Sequence, residues 1–238
     1  MKTPYGLEII ENCLTCPLHK DRLFCGLPPE ALAGLDSLSS SAIYPKGAVL
    51  FVEGQVPRGV FVICNGLVKL STSSAGGKSL ILRMAAPGEV IGLPGTISGK
   101  PYEATAEALE PIQANFIPRK PFLEFLRTHG EVALRVAQAL TDIYYAAYRE
   151  VRCLALTGSV EEKLASFLLD FAAARASDNA QTRVVLTLTH EEIAGMIGAT
   201  RETVTRLFTD FRRKGLVQLH GSSLVITDKT GLQKLLAA

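Results

Sequence analysis

The apolar positions of this chain change their spacing along its length, and each change marks a different kind of structure. Residues 1–26 form a cysteine-bearing leader, and residues 29–40 carry the spacing of a short helix. From about 43 to 118, short apolar runs such as "AIYPKGAVLFV", "GVFVICNGLVKLSTS", "SLILRMAAPGEVIGL" and "EATAEALEPIQANFIP" alternate with turns. Ten glycines between Gly47 and Gly99 punctuate this stretch, which rules out one long helix. Short strands at regular spacing with glycine turns predict a small β-roll of the barrel or jelly-roll type.

From Arg119 the period becomes helical. In "PFLEFLRTHGEVALRVAQALTDIYYAAYREVRCLAL", Pro121 is the last proline and Gly130 the one glycine. Val132, Val136, Ala139, Ile143 and Val151 recur at multiples of three- and four-residue steps, a seam one helix wide. Such a seam suits either a helix lying on the β-roll or a helix packed on its twin. Its length, with Tyr144, Tyr145 and Tyr148 around it, favours a homodimer interface made by those five residues.

The C-terminal part holds more helices. "TGSVEEKLASFLLDFAAARA" starts at Ser159, with Glu162 three positions on at capping-box spacing, and residues 177–183 read as a polar loop. In "HEEIAGMIGATRETVTRLFTDFRRKGLV", Thr189 and Glu192 make a second capping box and Gly198 closes the first short helix. Thr200 caps the next helix, which Gly215 ends. Two helices joined by a tight glycine turn predict a helix-turn-helix, and "LVQLH" with "SLVITD" predicts a hairpin wing beside it. The expected architecture is α+β: leader and β-roll over 1–118, dimerisation helix over 119–155, winged helix-turn-helix over 156–238.

At about 100° per residue, Val204, Leu207, Phe208 and Phe211 share one arc, and Arg201, Glu202, Thr205, Arg206 and Thr209 share the opposite one. The apolar arc must pack inward, which turns the polar arc outward from the start of the helix. Arginine presents a fork that matches guanine O6 and N7, and glutamate accepts from the cytosine amino group. Thr189, Thr200 and Thr203, with the amides of the helix starts, suit phosphate contacts. The pattern predicts a reader of double-stranded DNA.

Charge agrees. Residues 181–238 hold 8 Lys/Arg and 5 Asp/Glu, a net +3, whereas residues 1–180 hold 17 and 18, a net −1. The composition, 47% hydrophobic and 20% charged, is that of an ordinary globular protein. Thr3 and Pro4 follow Met1 and Lys2 with no apolar segment, and no apolar run is long enough to span a bilayer, so a cytoplasmic protein without membrane partners is expected. The sequence lacks a P-loop, a G-x-S-x-G elbow and a dinucleotide fingerprint, and His190-Glu191-Glu192 lacks the second histidine of a zinc protease. An enzyme is not expected. The competing expectation is a cyclic-nucleotide-binding-like module that regulates a protein partner without DNA.

The stretch "ATRETVTRLFTDFRRKGLV" resembles the recognition helix of the Crp/Fnr family of transcription regulators. "YPKGAVLFVEGQVPRGVFVICNGLVKL" is similar to that family's sensor β-roll, and "APGEVIGLPGTISGKPYEATAEALEP" to its cyclic-nucleotide segment. The resemblance spans nearly the whole chain. It implies a homodimer that binds inverted repeats with TGTGA-like halves through Arg201, Glu202 and Arg206, and that recruits or blocks RNA polymerase.

Two signals are implied by branches of the family. The cAMP-responsive branch holds its ligand with a glutamate and an Arg-Ser pair, where this chain has Leu93 and Tyr102-Glu103; classical cAMP binding is therefore not expected. The leader "CLTCPLHKDRLFC" resembles the iron–sulfur branch, with Cys13, Cys16 and Cys25 as ligands. Here the gap from Cys16 to Cys25 is longer, and Asn115 stands where that branch has its fourth cysteine. Cys64 qualifies as a substitute if the roll brings it to the leader. An iron–sulfur cluster, a zinc site, and inert or redox-active thiols all remain open from the residues alone.

Overall fold

The computed structural model describes residues 9–10, 13, 16, 22–73, 79–156, 159–173, 183–185, 188–220 and 223–236. In chain order the elements are α1 (Pro29–Ser37), β1 (Ser40–Tyr44), β2 (Val49–Phe51), β3 (Gly59–Asn65), β4 (Val68–Ser73), β5 (Ser79–Ala85), β6 (Val90–Ile91), α2 (Leu93–Ser98), β7 (Thr105–Ala108) and β8 (Ile112–Pro118). There follow α3 (Arg119–Thr128), α4 (Gly130–Leu156), α5 (Val160–Ala173), β9 (Arg183–Val185), α6 (His190–Ile197), α7 (Arg201–Arg213), β10 (Val217–His220), β11 (Ser223–Ile226) and α8 (Lys229–Leu235). The polar loop expected over 177–183 lies, except for Arg183, outside the described residues. The fold is α+β.

Two compact units divide inside α4, Met1–Ala147 and Tyr148–Ala238, whereas the sequence suggested breaks near 118 and 155. In the first unit, one antiparallel sheet runs β1-β8-β3-β6 and another β2-β7-β4-β5. Phe51, Phe61, Ile63, Val68, Leu70, Ala106 and Ala114, drawn from both sheets, form the core between them. The other face of the first sheet is also covered. Val60, Val62 and Ile117 pack there with Phe24, Leu32 of α1, Phe122 and Phe125 of α3, and Val132 and Val136 of α4. Burial on both faces explains why β3 reads GVFVICN, continuously apolar rather than alternating. Gly59 opens that strand because a Cβ there would collide with the Ile117 carbonyl.

The second unit builds helices on a small antiparallel sheet ordered β10-β11-β9. Ser159 caps α5 by accepting from the Glu162 amide at 3.2 Å. Asp228 caps α8 by accepting from the Gly231 amide at 2.8 Å, and Lys214 meets Glu161 at 2.6 Å. Strand β9 and helix α8 were not anticipated from the sequence. Among the described residues, no helix is long and apolar enough to cross a membrane.

Two residues of the expected dimer seam are already buried within their own chain. Val132 and Val136 are 1% and 3% exposed, buried in their own chain's core, with Ala139 packed against the same cluster. Ile143 is half-buried on that side, and the side chain of Val151 lies outside the described ones. At Val132, Val136 and Ala139 the period is that of a face buried on the chain's own first sheet and the helices packed there. The outward face of α4 carries Leu134, Ala137, Thr141, Tyr144 and Tyr148 at alternating three- and four-residue steps; Leu134, Tyr144 and Tyr148 are 61%, 64% and 54% exposed.

Candidate functional site

Local chemistry sets the helix-turn-helix before any packing does. Thr189 and Glu192 form a full capping box: the Thr189 hydroxyl accepts from the Glu192 amide, and the Glu192 carboxylate accepts from the Thr189 amide at 2.8 Å. Gly198 ends α6 in the left-handed region, at φ 66°, which turns the chain tightly into the next helix. Thr200 starts α7 by accepting from the Thr203 amide, and the two hydroxyls lie 3.1 Å apart. Val204, Leu207, Phe208 and Phe211 are all buried, so the helix can sit only one way round.

The opposite face is exposed. Arg201, Glu202, Thr205, Arg206 and Thr209 line an open depression of about 390 Å³. Arg206 has no hydrogen-bond or ion-pair partner among the described residues, so its guanidinium is available in full. The Glu202 carboxyl is held below its usual range, first by its own backbone N–H, then by the Thr200 hydroxyl, with Arg201 adding to both. It is thus an anion at neutral pH, seated at the positive end of the helix. Thr205 is less available than its position suggests. Its hydroxyl donates to the Arg201 carbonyl at 2.9 Å and contacts His190 Nδ1 at 2.9 Å.

His190 was absent from the sequence-based set. Its ring stacks on Phe208 at 4.9 Å and 10°, and burial followed by the Arg201 charge lowers its pKa. Its place at the first position of α6 was the available signal, but the bond to Thr205 depends on the crossing of two helices.

In the first unit, Tyr102 and Leu93 occupy places that the resemblance gave to ligand-holding residues. Tyr102 is buried and stacks on Phe51 at 4.0 Å between centroids; its hydroxyl donates to the Gly59 carbonyl at 2.6 Å and accepts from the Gly59 and Arg58 amides. Leu93 is buried in the cluster beneath the helices, and Glu103 points to solvent.

Residues 162–235 match the Crp-like helix-turn-helix domain, and residues 42–129 match the cyclic nucleotide-binding domain. The chain is 26% identical over 218 residues to a CRP-like cAMP-activated global transcriptional regulator of Mycobacterium tuberculosis, covering 91% of this chain and 97% of that one. It is also 29% identical over 231 residues to the transcriptional activator protein FnrA of Stutzerimonas stutzeri, covering 93% and 91%. The chain belongs to the Crp/Fnr family of transcription regulators. Among solved structures, the Crp/Fnr-family regulator TTHA1359 of Thermus thermophilus superposes with a TM-score of 0.69 at 27% identity, covering 84% of this chain and 99% of that one. FixK2 of Bradyrhizobium japonicum shares the fold, with a TM-score of 0.76 at 22% identity over 84% and 98%. The family consists of DNA-binding regulators rather than enzymes.

Two described leader residues of this Crp/Fnr protein, Ile10 and Cys13, are bonded to the first sheet. The Gln113 side chain grips Ile10, accepting from its amide at 2.8 Å and donating to its carbonyl at 2.7 Å. Two residues along the same strand, and therefore on the same face, Asn115 Nδ2 donates to Cys13 Sγ at 3.6 Å. The Cys16 amide donates to the Cys13 carbonyl at 3.4 Å. Burial pushes the thiols of Cys13, Cys25 and Cys64 up, Cys64 to about 12. Neighbouring thiols add to the rise: Cys64 and Cys25 for Cys13, Cys16 for Cys25, and Cys25 and Cys16 for Cys64. All four are thiols rather than disulfide halves. As they stand, no three His, Cys, Asp or Glu side chains among the described residues are arranged to hold a single metal ion. Asn115, which donates to Cys13, is itself buried, and its Oδ1 has no partner among the described residues.

Proposed function

We propose that this Crp/Fnr regulator binds double-stranded DNA as a homodimer, at inverted repeats whose TGTGA-like halves lie about one helical turn apart. The observation that carries this reading is the row of Arg201, Glu202 and Arg206 along the outward face of a capped helix whose other face is locked in the core. Arg206 takes a guanine edge, Glu202 accepts from a cytosine amino group, and Arg201 takes a base or a phosphate beside them. Thr189, Thr200 and Thr203 stand at the two helix starts, where backbone amides and hydroxyls meet phosphate. Bound in this way, the protein contacts RNA polymerase to raise or lower transcription.

The second copy packs on the outward face of α4, along Leu134, Ala137, Thr141, Tyr144 and Tyr148. Large apolar and aromatic side chains at coiled-coil spacing lose water contact when two such helices meet. The inward seam of Val132 and Val136 ties each helix to its own sensor unit, so a change in the sensor reaches the interface through one helix.

Cyclic AMP is not the signal. A relative bears the description cAMP-activated, but in this chain Tyr102 stacks where a guanidinium would have to hold the cyclic phosphate, and the neighbouring Glu103 is a carboxylate. The input is the leader, where Cys13, Cys16 and Cys25 would hold an iron–sulfur cluster. Such a cluster, when bound, supplies a bonded cross-link between leader segments that depends on iron supply and redox conditions. Selection from random DNA by the purified protein, with and without oxygen, tests the DNA reading: an enriched inverted repeat supports it, and no enrichment under either condition refutes it.

A further inference from the structure

One member of the α7 reading face has its chemistry set from another helix. Thr205 is exposed and lies with Arg201, Glu202, Arg206 and Thr209 along the open depression, which His190 of α6 does not line. Yet His190 Nδ1 lies 2.9 Å from the Thr205 hydroxyl, and the half-buried ring stacks on Phe208 at 4.9 Å and 10°. Phe208 stands three residues after Thr205, so the two are neighbours on the surface of α7. The stack fixes the plane of the imidazole, and the hydrogen bond fixes its rotation within that plane. The capping box of Thr189 and Glu192 holds the backbone that carries it.

A hydroxyl has one hydrogen and two lone pairs. At Thr205 the hydrogen goes to the Arg201 carbonyl at 2.9 Å, and one lone pair receives the His190 N–H. A single lone pair is left for DNA. The two bonds together also hold one χ1 rotamer, where a helical threonine otherwise divides between two. Thr209 shows the contrast. Its hydroxyl donates to the Thr205 carbonyl at 3.0 Å, and among the described residues no bond from α6 anchors it.

In the major groove the exocyclic amino groups of adenine and cytosine donate, whereas guanine O6 and thymine O4 accept. A fixed lone pair is satisfied by the first two bases and repelled by the others. Resting on the DNA reading above, we infer that His190 is a positioning residue for base selection, holding Thr205 as an acceptor that selects adenine or cytosine over guanine or thymine at the base it faces. Without the His190 donor, the hydroxyl can turn its hydrogen to a keto oxygen or exchange places with its methyl group, and the distinction fades. The state of the ring agrees with this role. Burial, then the Arg201 charge, lower its pKa, and a neutral imidazole carries one N–H, which the bond to Thr205 places on Nδ1.

The test separates the ring from its hydrogen bond. His190→Phe keeps an aromatic ring for the stack and removes the donor; His190→Asn keeps an N–H donor near the Nδ1 position and removes the ring. Each is made in the full chain and used to select sites from random DNA, beside wild type and Thr205→Val, which lacks the hydroxyl. The position that Thr205 faces is the one whose preference changes in Thr205→Val. There the wild type is expected to prefer an amino base over a keto base by about tenfold, the size of one mismatched base pair. His190→Phe is expected to lose that preference at the same position and no other, and His190→Asn to keep it. The double variant should match Thr205→Val alone, because the histidine acts through the threonine. Should His190→Phe fail to fold by circular dichroism, His190→Leu gives the same comparison.

A preference intact in the variant without the donor, equal relaxation at every position of the half-site, loss in His190→Asn, no change in Thr205→Val, or a wild type that prefers guanine or thymine there would each overturn the assignment. In all of these the wild type still enriches a motif, and the DNA reading stands. Enrichment of no motif by the wild type overturns the DNA reading and the role of His190 with it.

Discussion

His190 Nδ1 lies 2.9 Å from Thr205 Oγ1, and this one contact braces the first helix of the helix-turn-helix against the second. The Thr205 hydroxyl already donates to the Arg201 carbonyl, so the histidine must donate, which places the proton on Nδ1. The stack of the same ring on Phe208 completes the brace. The angle at which α7 presents Arg201 and Arg206 depends on it.

The stability contributed by His190 is expected to depend on pH, although protonation at Nε2 leaves the Nδ1–H donor in place. Burial and Arg201 lower the His190 pKa in the folded protein, so the unfolded chain binds the proton more readily. The contribution to stability is complete above the unfolded value of about 6.5 and is lost as pH falls from there through the folded value. Urea denaturation of the wild type and of His190→Phe between pH 5 and 8 checks this: the wild type should lose more stability on the acid side. Parallel curves would remove His190 from the account.

Arg206→Ala is expected to weaken operator binding by about 1–3 kcal/mol and to relax selectivity at one base pair. Because Arg206 has no partner among the described residues, the substitution should leave stability within about 0.5 kcal/mol. Binding titrations on single-substituted sites, paired with thermal melts, separate the two quantities.

The two faces of α4 should respond differently to damage. Val136→Ala opens a cavity in the first unit's core and should cost about 2 kcal/mol of stability, with self-association retained. Tyr144→Glu places a charge on the exposed face and should give folded monomers with weak operator binding. Sedimentation and melting of both variants test the pair, and the reverse outcome would put the interface on the Val132–Val136 side.

Tyr102→Phe keeps the stack on Phe51 but removes the acceptor used by the Gly59 and Arg58 amides. The expected cost is about 1–3 kcal/mol, because Gly59 is buried and its N–H would be left unpaired. Calorimetry with cAMP should show no micromolar binding to the wild type or to this variant.

Much of this protein is legible in one dimension, because the interactions that decide it are local. The capping box at Thr189, the side-chain cap at Ser159, the turn at Gly198 and the two faces of α7 each depend on residues a few positions apart, and the structure has each where the spacing places it. The same holds for the helix-turn-helix and for the run of short strands in the first unit. Strand β9 and helix α8 escaped notice because three residues and seven residues carry too little periodicity to stand out. Tertiary structure alone decided three further matters. Periodicity shows that Val132 and Val136 are buried, but only packing shows that their own chain buries them, since a twin helix and a sheet face impose the same spacing. His190 reaches Thr205 across 15 positions and Ile10 reaches Gln113 across 103, contacts that no local pattern encodes. The bulge at Cys64 belongs to the same class, for a slip in strand register exists only between two paired strands and leaves no mark on either one alone.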